Sequence, residues 1–358
     1  MRILFTGGGT AGSVMPLMAI YSTMHKLNSS HQFMFIGTRQ GKPEENIVSQ
    51  YDIQFKKVYS GKLRRYFDVR NFTDSFLLVV GFFQSLIIVY KFRPEVVVGA
   101  GGYVSVPVIW AAWILRKKIL LHQQDIKPSL ANKLCTYAAD KITVTFERSL
   151  QNFPIVKTVW TGNPVRRNLM NGNRDRALEK FDLKKDVPLI LVVGGGTGAR
   201  GINTVVNQSL SHLVAFSQIV HITGEGKHVT GINHANYQQH EFIIEGMVDL
   251  LFTADLVISR AGLSSLTEFS MLGKAAILIP LPDSHQEINA NYFLEKGAAI
   301  VIKEKDLTPG ILVNKVRSIL TDQHALEIVS NNMRSIMKGQ AADTISSQII
   351  KLATNGFK

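Results

Sequence analysis

The segment Ile190 to Arg200, ILVVGGGTGAR, constrains this chain more than any other. A strand-type apolar run enters three consecutive glycines, and Thr197-Gly198-Ala199-Arg200 then leads into a helix-compatible stretch. Only glycine lets a backbone turn this tightly and come close to a ligand. A helix N-terminus just beyond offers free N–H groups and the positive end of a dipole, which suits phosphate. The chain opens with the same device, Ile3 to Gly12, ILFTGGGTAG, about 187 residues earlier. Two copies predict two similar α/β domains, each starting with a strand and a glycine turn. Such a turn can also be purely structural. Neither copy fits the dinucleotide fingerprint, for no well-placed acidic strand end follows about 20 residues later to hold a ribose.

At 358 residues the chain has the length of two ordinary domains. With 46% hydrophobic and 19% charged residues it has ample core and no sign of global disorder. One cysteine, Cys135, excludes an internal disulfide and fits a reducing cytoplasm and a core position. The 40 Lys and Arg against 27 Asp and Glu leave a formal charge of +13, which favours phosphate-bearing partners. No nucleic-acid motif accompanies that charge and no basic run is interleaved with aromatics, so a membrane surface is the expected anion rather than nucleic acid. The start of the chain, a short strand and glycines after Arg2, does not read as an export signal.

In the first half, strand Arg2–Thr6 and loop Gly7–Gly12 precede a helix expected from about Met15 to Leu27, with Pro16 in its first turn. Strand Gln32–Ile36, a polar loop with Glu44 and Glu45 and a short strand near Phe55–Tyr59 follow. This alternation predicts a parallel, doubly wound sheet. From Phe72 to Tyr90 the chain is apolar on nearly every face, but Gly81, Gln84 and Ser85 interrupt it and it is short for a membrane span. It reads either as a helix buried against the sheet or as one whose outer face enters a lipid interface. In the second reading Lys62, Arg64, Arg65, Lys91 and Arg93 meet head groups, and Trp110, Trp113, Lys117 and Lys118 extend the patch. Strand Glu95–Gly99 runs into Gly101-Gly102-Tyr103, a further glycine turn at a carboxyl strand end, where ligands sit in open α/β sheets. Strand Lys118–Leu121 is expected to end in His122-Gln123-Gln124-Asp125. His122 and Asp125 are acid–base candidates there, against a reading of His122 as a hydrogen-bonded core histidine.

Asn163-Pro164 breaks regular structure and marks the domain boundary. In the second half, a strand is expected at Glu241–Ile244, a helix at Leu250–Leu256 and a brief strand at Val257–Ser259. The cluster Ser259 to Glu268, SRAGLSSLTE, then places Ser264 and Ser265 at a helix start, as caps or as donors to a phosphate. Glu268 lies one turn on, able to accept from two ribose hydroxyls or simply to favour the helix dipole. Strand Ala276–Pro280 leads to His285-Gln286-Glu287-Ile288-Asn289, polar side chains suited to hydroxyl recognition. No Asp-x-Asp pair suggests a metal-held nucleotide.

These motifs, with Thr161-Gly162-Asn163-Pro164-Val165-Arg166 between them, resemble in kind and order those of the MurG family of peptidoglycan glycosyltransferases, over nearly the whole chain. That family moves N-acetylglucosamine (GlcNAc) from UDP-GlcNAc to the 4-hydroxyl of a lipid-linked muramyl-pentapeptide, turning lipid I into lipid II with inversion at the sugar. The resemblance implies an α/β fold of two Rossmann-like, doubly wound domains facing a cleft, the GT-B architecture. Residues 1–165 would form an acceptor- and membrane-binding domain and residues 166–340 a UDP-GlcNAc-binding domain. Residues 341–358 would form a helix packing back on the first. The substrates would be UDP-GlcNAc and undecaprenyl-pyrophosphoryl-MurNAc-pentapeptide, with no cofactor and no metal. The protein would sit peripherally on the cytoplasmic face of the cell membrane, with room for other cell-wall synthesis proteins as partners.

Carried over residue by residue, Glu268 would take the ribose hydroxyls, and Leu263, Ser264 and Ser265 would surround the pyrophosphate. Ile244 would meet uracil through its backbone, Gln286 and Asn289 would hold the sugar, and Arg166 and Gly196 would face the nucleotide. Thr10, Ala11 and Gly12 would approach the transferring sugar. Gly8, Gly9, Gly101, Gly102 and Tyr103 would receive the acceptor pyrophosphate. The catalytic set would be Asp125, which also touches UDP-GlcNAc, with Ser13 and His122.

Three positions depart from the family pattern. Ser13 stands where a histidine is usual; the family's His-Glu-Gln-Asn reads His122-Gln123-Gln124-Asp125; and Gly196 and Thr197 replace Ser and Gln. Serine is a poor base at neutral pH, so Asp125 is expected to act as base, with Ser13 positioning substrate. Two alternatives stay open within the fold, transfer to another lipid acceptor or UDP-sugar binding with weakened catalysis. A nicotinamide dehydrogenase is the weakest reading, since it leaves the motifs after Ser259 without a role.

Overall fold

The computed structural model describes residues 1–9, 11–41, 44–61, 70–165, 167–194, 198–243 and 245–354. Contacts divide the chain into two compact units, Met1–Arg166 with Lys338–Lys358, and Arg167–Met337.

The first unit runs β1 (Arg2–Thr6), α1 (Ala11–Leu27), β2 (Gln32–Thr38), α2 (Glu44–Val48), β3 (Gln54–Val58), α3 (Arg70–Phe92), β4 (Val96–Gly99), α4 (Ser105–Ile114), β5 (Lys118–Gln123), α5 (Leu130–Cys135), β6 (Lys141–Val144) and β7 (Thr158–Trp160). The second runs α6 (Arg174–Lys180), β8 (Leu189–Val193), α7 (Arg200–Gln208), α8 (Leu210–Leu213), β9 (Gln218–Ile222), β10 (Tyr237–His240), α9 (Met247–Thr253), β11 (Leu256–Ser259), α10 (Leu263–Leu272), β12 (Ala276–Leu278), α11 (His285–Glu295), β13 (Ile300–Val301), α12 (Pro309–Thr321) and α13 (Gln323–Ser335). Helix α14 (Ala341–Thr354) belongs to the first unit.

Among the described residues the first sheet has the order β3-β2-β1-β4-β5-β6-β7 and the second β10-β9-β8-β11-β12-β13, with parallel pairing throughout. Strand side chains alternate between faces, and both faces are covered. In the first unit Ile3, Phe5, Val96 and Val98 pack with α1 and with Ile345 and Ile349 of α14. Leu4, Val97, Ile119 and Leu121 pack on the opposite face with Val104, Val108 and Ile109. In the second, Ile190, Val192, Ile258 and Ile277 pack with Ile202 and Val206 of α7 and Leu312 and Val316 of α12. Both are doubly wound Rossmann-like units.

Four elements differ from the sequence expectation, the simplest being the helix expected at Leu250–Leu256, which lies at Met247–Thr253 with Leu256 in β11. Helix α1 begins at Ala11, so Pro16 falls inside it, past the first turn where proline is neutral. Strand β5 continues to Gln123, pairing His122 with Thr143, so His122 is a sheet residue and not a loop residue. The strand expected at Glu241–Ile244 lies earlier, at Tyr237–His240, because buried Tyr237 anchors it beside β9. Glu241 instead accepts the Gly226 N–H at 3.0 Å.

Candidate active site

In each sheet the chain reverses direction beside its first strand, and ligands of such folds bind outside the carboxyl ends at that switch. The first switch lies between β1 and β4, where Thr6 pairs with Gly99. Two glycine turns leave these neighbouring ends. Gly9, Gly101 and Gly102 have φ of 88°, 86° and 84°, in the region that favours glycine. A side chain at Gly102 would collide with the Gly8 backbone, and one at Gly9 would press on the Tyr103 ring. The turns are in backbone contact, and Tyr103 stands half-buried beside them. Ser105 Oγ donates to the Gly101 carbonyl at 2.7 Å and Gln124 Nε2 to the Ala100 carbonyl at 3.1 Å.

The next strand end carries the acid–base candidates. His122 is wholly buried, with Nε2 2.9 Å from Asn163 Oδ1 and Nδ1 3.0 Å from Thr143 Oγ1. Burial pushes its pKa down to about 4, against a smaller upward pull from Asn163. Its place among the catalytic groups is corrected on this geometry: it is a neutral core histidine tying β5 to β6 and to the Asn163 segment. Asp125, two residues beyond the strand, is half-buried. Gln123 shapes its loop, donating through Nε2 to the Asp125 carbonyl at 2.6 Å and the Lys127 carbonyl at 3.2 Å, while its Oε1 accepts from Asn132 at 2.7 Å. Ser13 is buried in the first turn of α1, of which Ala11 and Gly12 are the first two residues. Thr10 and Arg166 lie outside the described residues.

The second switch lies between β8 and β11, where Val193 pairs with Ser259. This brings the end of β8, where the central glycine motif begins, next to the start of the Ser259–Glu268 cluster. Gly198 has φ 68° and its α-carbon faces the Thr223 carbonyl with no room for a side chain. Gly196 and Thr197 lie outside the described residues. Helix α10 is capped by Gly262, not by a serine. Leu263, Ser264 and Ser265 are its first three residues, and the first intrahelical donor is Leu266, whose N–H reaches the Gly262 carbonyl at 3.0 Å. The three preceding N–H groups stand at the open end of the helix. Ser264, Ser265 and Glu268 are half-buried, and Glu268 lies one turn above Ser264. Gly262 has an ordinary φ of −72°, and a Cβ there would meet nothing within 4 Å. Neither conformation nor packing asks for glycine at that point.

Arg260 braces the cluster from behind with two bonds to Glu304, of 2.7 and 3.0 Å, and donates to the Ile279 carbonyl at 3.1 Å. After β12, Gln286 Oε1 accepts the Leu281 N–H at 3.1 Å, and Asn289 is buried on the inner side of α11. Ile244 lies outside the described residues. Its neighbours Phe242 and Ile243 line a cavity of about 540 Å³ with Phe181 and His240. The sequence reading gave none of Glu44, Gln123, Asn163 and Arg260 a part in organising the site. Gln123, Asn163 and Arg260 sat inside motifs that it had singled out, and only Glu44 did not.

Comparison with known proteins gives a consistent picture. Residues 3–144 match the N-terminal domain of glycosyltransferase family 28 and residues 189–349 its C-terminal domain. A protein of Bacillus thuringiensis (strain Al Hakam) is 37% identical over 353 residues, 97% of this chain and 99% of that one. It is the UDP-N-acetylglucosamine–N-acetylmuramyl-(pentapeptide) pyrophosphoryl-undecaprenol N-acetylglucosamine transferase 3 of that organism. The transferase of the same name from Clostridium kluyveri is 36% identical over 356 residues, 98% of each chain. Among solved structures, Acinetobacter baumannii MurG superposes with a TM-score of 0.77 at 24% identity, covering 98% of this chain and 99% of that one. A UDP-GlcNAc 2-epimerase from Neisseria meningitidis gives 0.69 at 14% identity, covering 98% and 100%. These two likenesses bear on the fold, that of two Rossmann-like domains known as GT-B.

Proposed function

The chain belongs to the MurG family of N-acetylglucosaminyltransferases, and from that premise we infer that it transfers GlcNAc from UDP-GlcNAc to the pyrophosphoryl-undecaprenol-linked muramyl-pentapeptide, forming lipid II for peptidoglycan. The observation that carries this reading is the identity of more than a third of all positions over almost the full length of relatives with that activity. The start of α10 adds physical support. It offers three N–H groups, two hydroxyls and a carboxylate in one place, near the end of β8 where the central glycine motif begins.

We assign the second unit to UDP-GlcNAc. The pyrophosphate lies against the N–H groups and hydroxyls of Leu263, Ser264 and Ser265, and the ribose hydroxyls donate to Glu268. The unfilled space over Gly262 admits the phosphate. Gln286 keeps its Nε2 for the sugar while Oε1 holds the Leu281 N–H. The first unit takes the acceptor, with its pyrophosphate at the turns containing Gly8, Gly9, Gly101 and Gly102 and its muramyl end toward Asp125. The 4-hydroxyl attacks the anomeric carbon from the face opposite UDP, its proton passes to the Asp125 carboxylate, and the C1–O bond to UDP breaks with inversion. Charge that builds on the leaving pyrophosphate is met by the α10 N-terminus. Arg166, Gly196, Ile244 and Thr10 complete the assignment carried by the resemblance.

The protein works at the cytoplasmic face of the membrane as a peripheral enzyme in this reading. No described helix is long and apolar enough to cross a bilayer. Helix α3 turns Gly81, Ser85 and Val89 inward and leaves Phe76, Val79, Phe83, Ile87 and Tyr90 outward, each more than half exposed. On α4, Trp113 and Ile114 are likewise exposed, and Trp113 stacks edge-on with Tyr137. A helix that buries its small residues and exposes its large apolar ones is built to meet an apolar environment outside the unit.

The test is transfer of labelled GlcNAc from UDP-GlcNAc to a short-chain lipid I analogue by the purified protein. Product that comigrates with the lipid II analogue is expected. Saturable UDP-GlcNAc binding without transfer would overturn the acceptor assignment and leave the donor assignment standing.

A further inference from the structure

Glu44 opens α2, outside every motif of the resemblance, yet it is wholly buried behind the first glycine turn. Its Oε1 accepts the Gly9 N–H at 2.6 Å and the Thr38 hydroxyl at 3.1 Å. Among the described residues Oε2 has no donor, and Glu44 enters no ion pair. An unpaired carboxyl buried in this way is a costly occupant of a fold. A merely structural link from β2 to the turn needs no acid. What an acid provides is a strong, charge-assisted bond to one N–H, and that N–H belongs to Gly9, whose φ is 88°. The turn lies flat on this carboxyl, since a side chain at Gly8 would run into it. On its other side the turn meets Gly102 and the Tyr103 ring. Burial first, then the Glu44 and Asp74 charges, push the Tyr103 phenol above its ordinary value. Glu44 thus joins the ends of β1, β2 and β4 at one point.

We propose that Glu44 is a positioning residue for the acceptor: its carboxyl holds the Gly8–Gly9 backbone against Gly102 and Tyr103 in the shape that receives the lipid-linked pyrophosphate. This rests on the assignment of the first unit to the acceptor. With its N–H committed to Glu44, Gly9 is fixed as the pivot of the turn, and the polar groups facing outward are left for phosphate.

The experiment measures KM for UDP-GlcNAc and for the lipid I analogue, with thermal unfolding as a folding control, in wild type, Glu44→Ala, Glu44→Asp and Glu44→Gln. Glu44→Ala is expected to raise the acceptor KM about tenfold, the scale of one lost hydrogen bond to a charged group, with the donor KM within about twofold. Glu44→Asp keeps the charge but withdraws it by one methylene, about 1.5 Å, and is expected to show the same split at about fivefold. Glu44→Gln keeps an acceptor oxygen at the right distance but not the charge, so it is expected to raise the acceptor KM about threefold, between wild type and Glu44→Ala. Aspartate and wild type alike, or both KM values rising together, would overturn the proposal, and Glu44→Asp decides it even if the alanine variant does not fold. A wild type that binds both substrates but transfers nothing would instead count against the functional reading itself.

Discussion

Gln123 explains how an acid could shift two places along this chain. Its amide donates to two carbonyls, those of Asp125 and Lys127, and a glutamate carboxylate has no hydrogen to give either. The glutamine therefore builds the loop that presents Asp125, the residue proposed above as the proton acceptor. Asp125→Asn is expected to cut kcat by about 10²-fold or more, while Ser13→Ala changes it less than about threefold, since buried Ser13 is no base at neutral pH. Equal losses in the transfer assay would reject Asp125 as base. The two buried histidines lead to a stability prediction. His122 and His221 are both pushed down to about 4 by burial, and His221 sits between Tyr237 and Asn203 at 3.0 Å from each. Unfolded histidine binds a proton near pH 6.5, the folded one only near 4, so stability is full above 6.5 and falls as pH drops toward 4. Each is worth up to about 3 kcal/mol over that window. Melting curves from pH 7 to 4.5 should fall steeply in wild type and flatten in His221→Gln. At this scale the sequence placed Glu44 in a polar loop, whereas it is wholly buried, because burial behind a turn comes from a long-range packing that spacing along the chain does not encode.

Helix α3 was ambiguous in sequence because its residues are apolar nearly all round, and periodicity cannot say which face is inside. The structure resolves it through Gly81 and Ser85. A side chain at Gly81 would run into the Tyr59 carbonyl, and Gln84 Oε1 accepts the Tyr59 N–H at 2.9 Å. The helix lies close on its small residues, and the aromatics are left outside. Replacing Phe83 and Ile87 with serine is expected to reduce co-sedimentation with anionic phospholipid vesicles about tenfold or more, as the apolar area lost implies. GlcNAc transfer to a soluble acceptor should be unchanged, and vesicle binding that survives would place the lipid contact elsewhere. Most strands, by contrast, were readable to within a residue or two, since period is local, but the one expected at Glu241–Ile244 lies four residues earlier. His122 was misplaced for the same local reason: a polar run after apolar residues looks like a loop, while the partner that keeps it in the sheet is Thr143, more than 20 residues on.

Across the whole molecule, the chain leaves the first unit near residue 166 and comes back near residue 338. Helix α14 is a full member of the first core: Ile345 and Ile349 are completely buried among Val14, Leu17 and the β1 and β4 side chains. Ile349→Ala is expected to destabilise the protein by about 2–4 kcal/mol, and the loss should fall on the first unit. Proteolysis under native conditions checks this, with cuts expected first within residues 1–165 and the fragment 167–337 persisting. Two glycine-loop copies were enough to predict two similar halves, while the expectation that residues 341–358 pack back on the first came from the family resemblance. During synthesis that arrangement inverts the expected order of completion. The second half has all its core residues once position 337 has emerged. The first, made earlier, waits for α14 for roughly ten to forty seconds after residue 166 has been made, at ordinary elongation rates. Throughout that interval a nascent sheet with a missing flank, and an apolar α3 on its surface, stands exposed at the ribosome, where chaperones or the bilayer itself would be its first company.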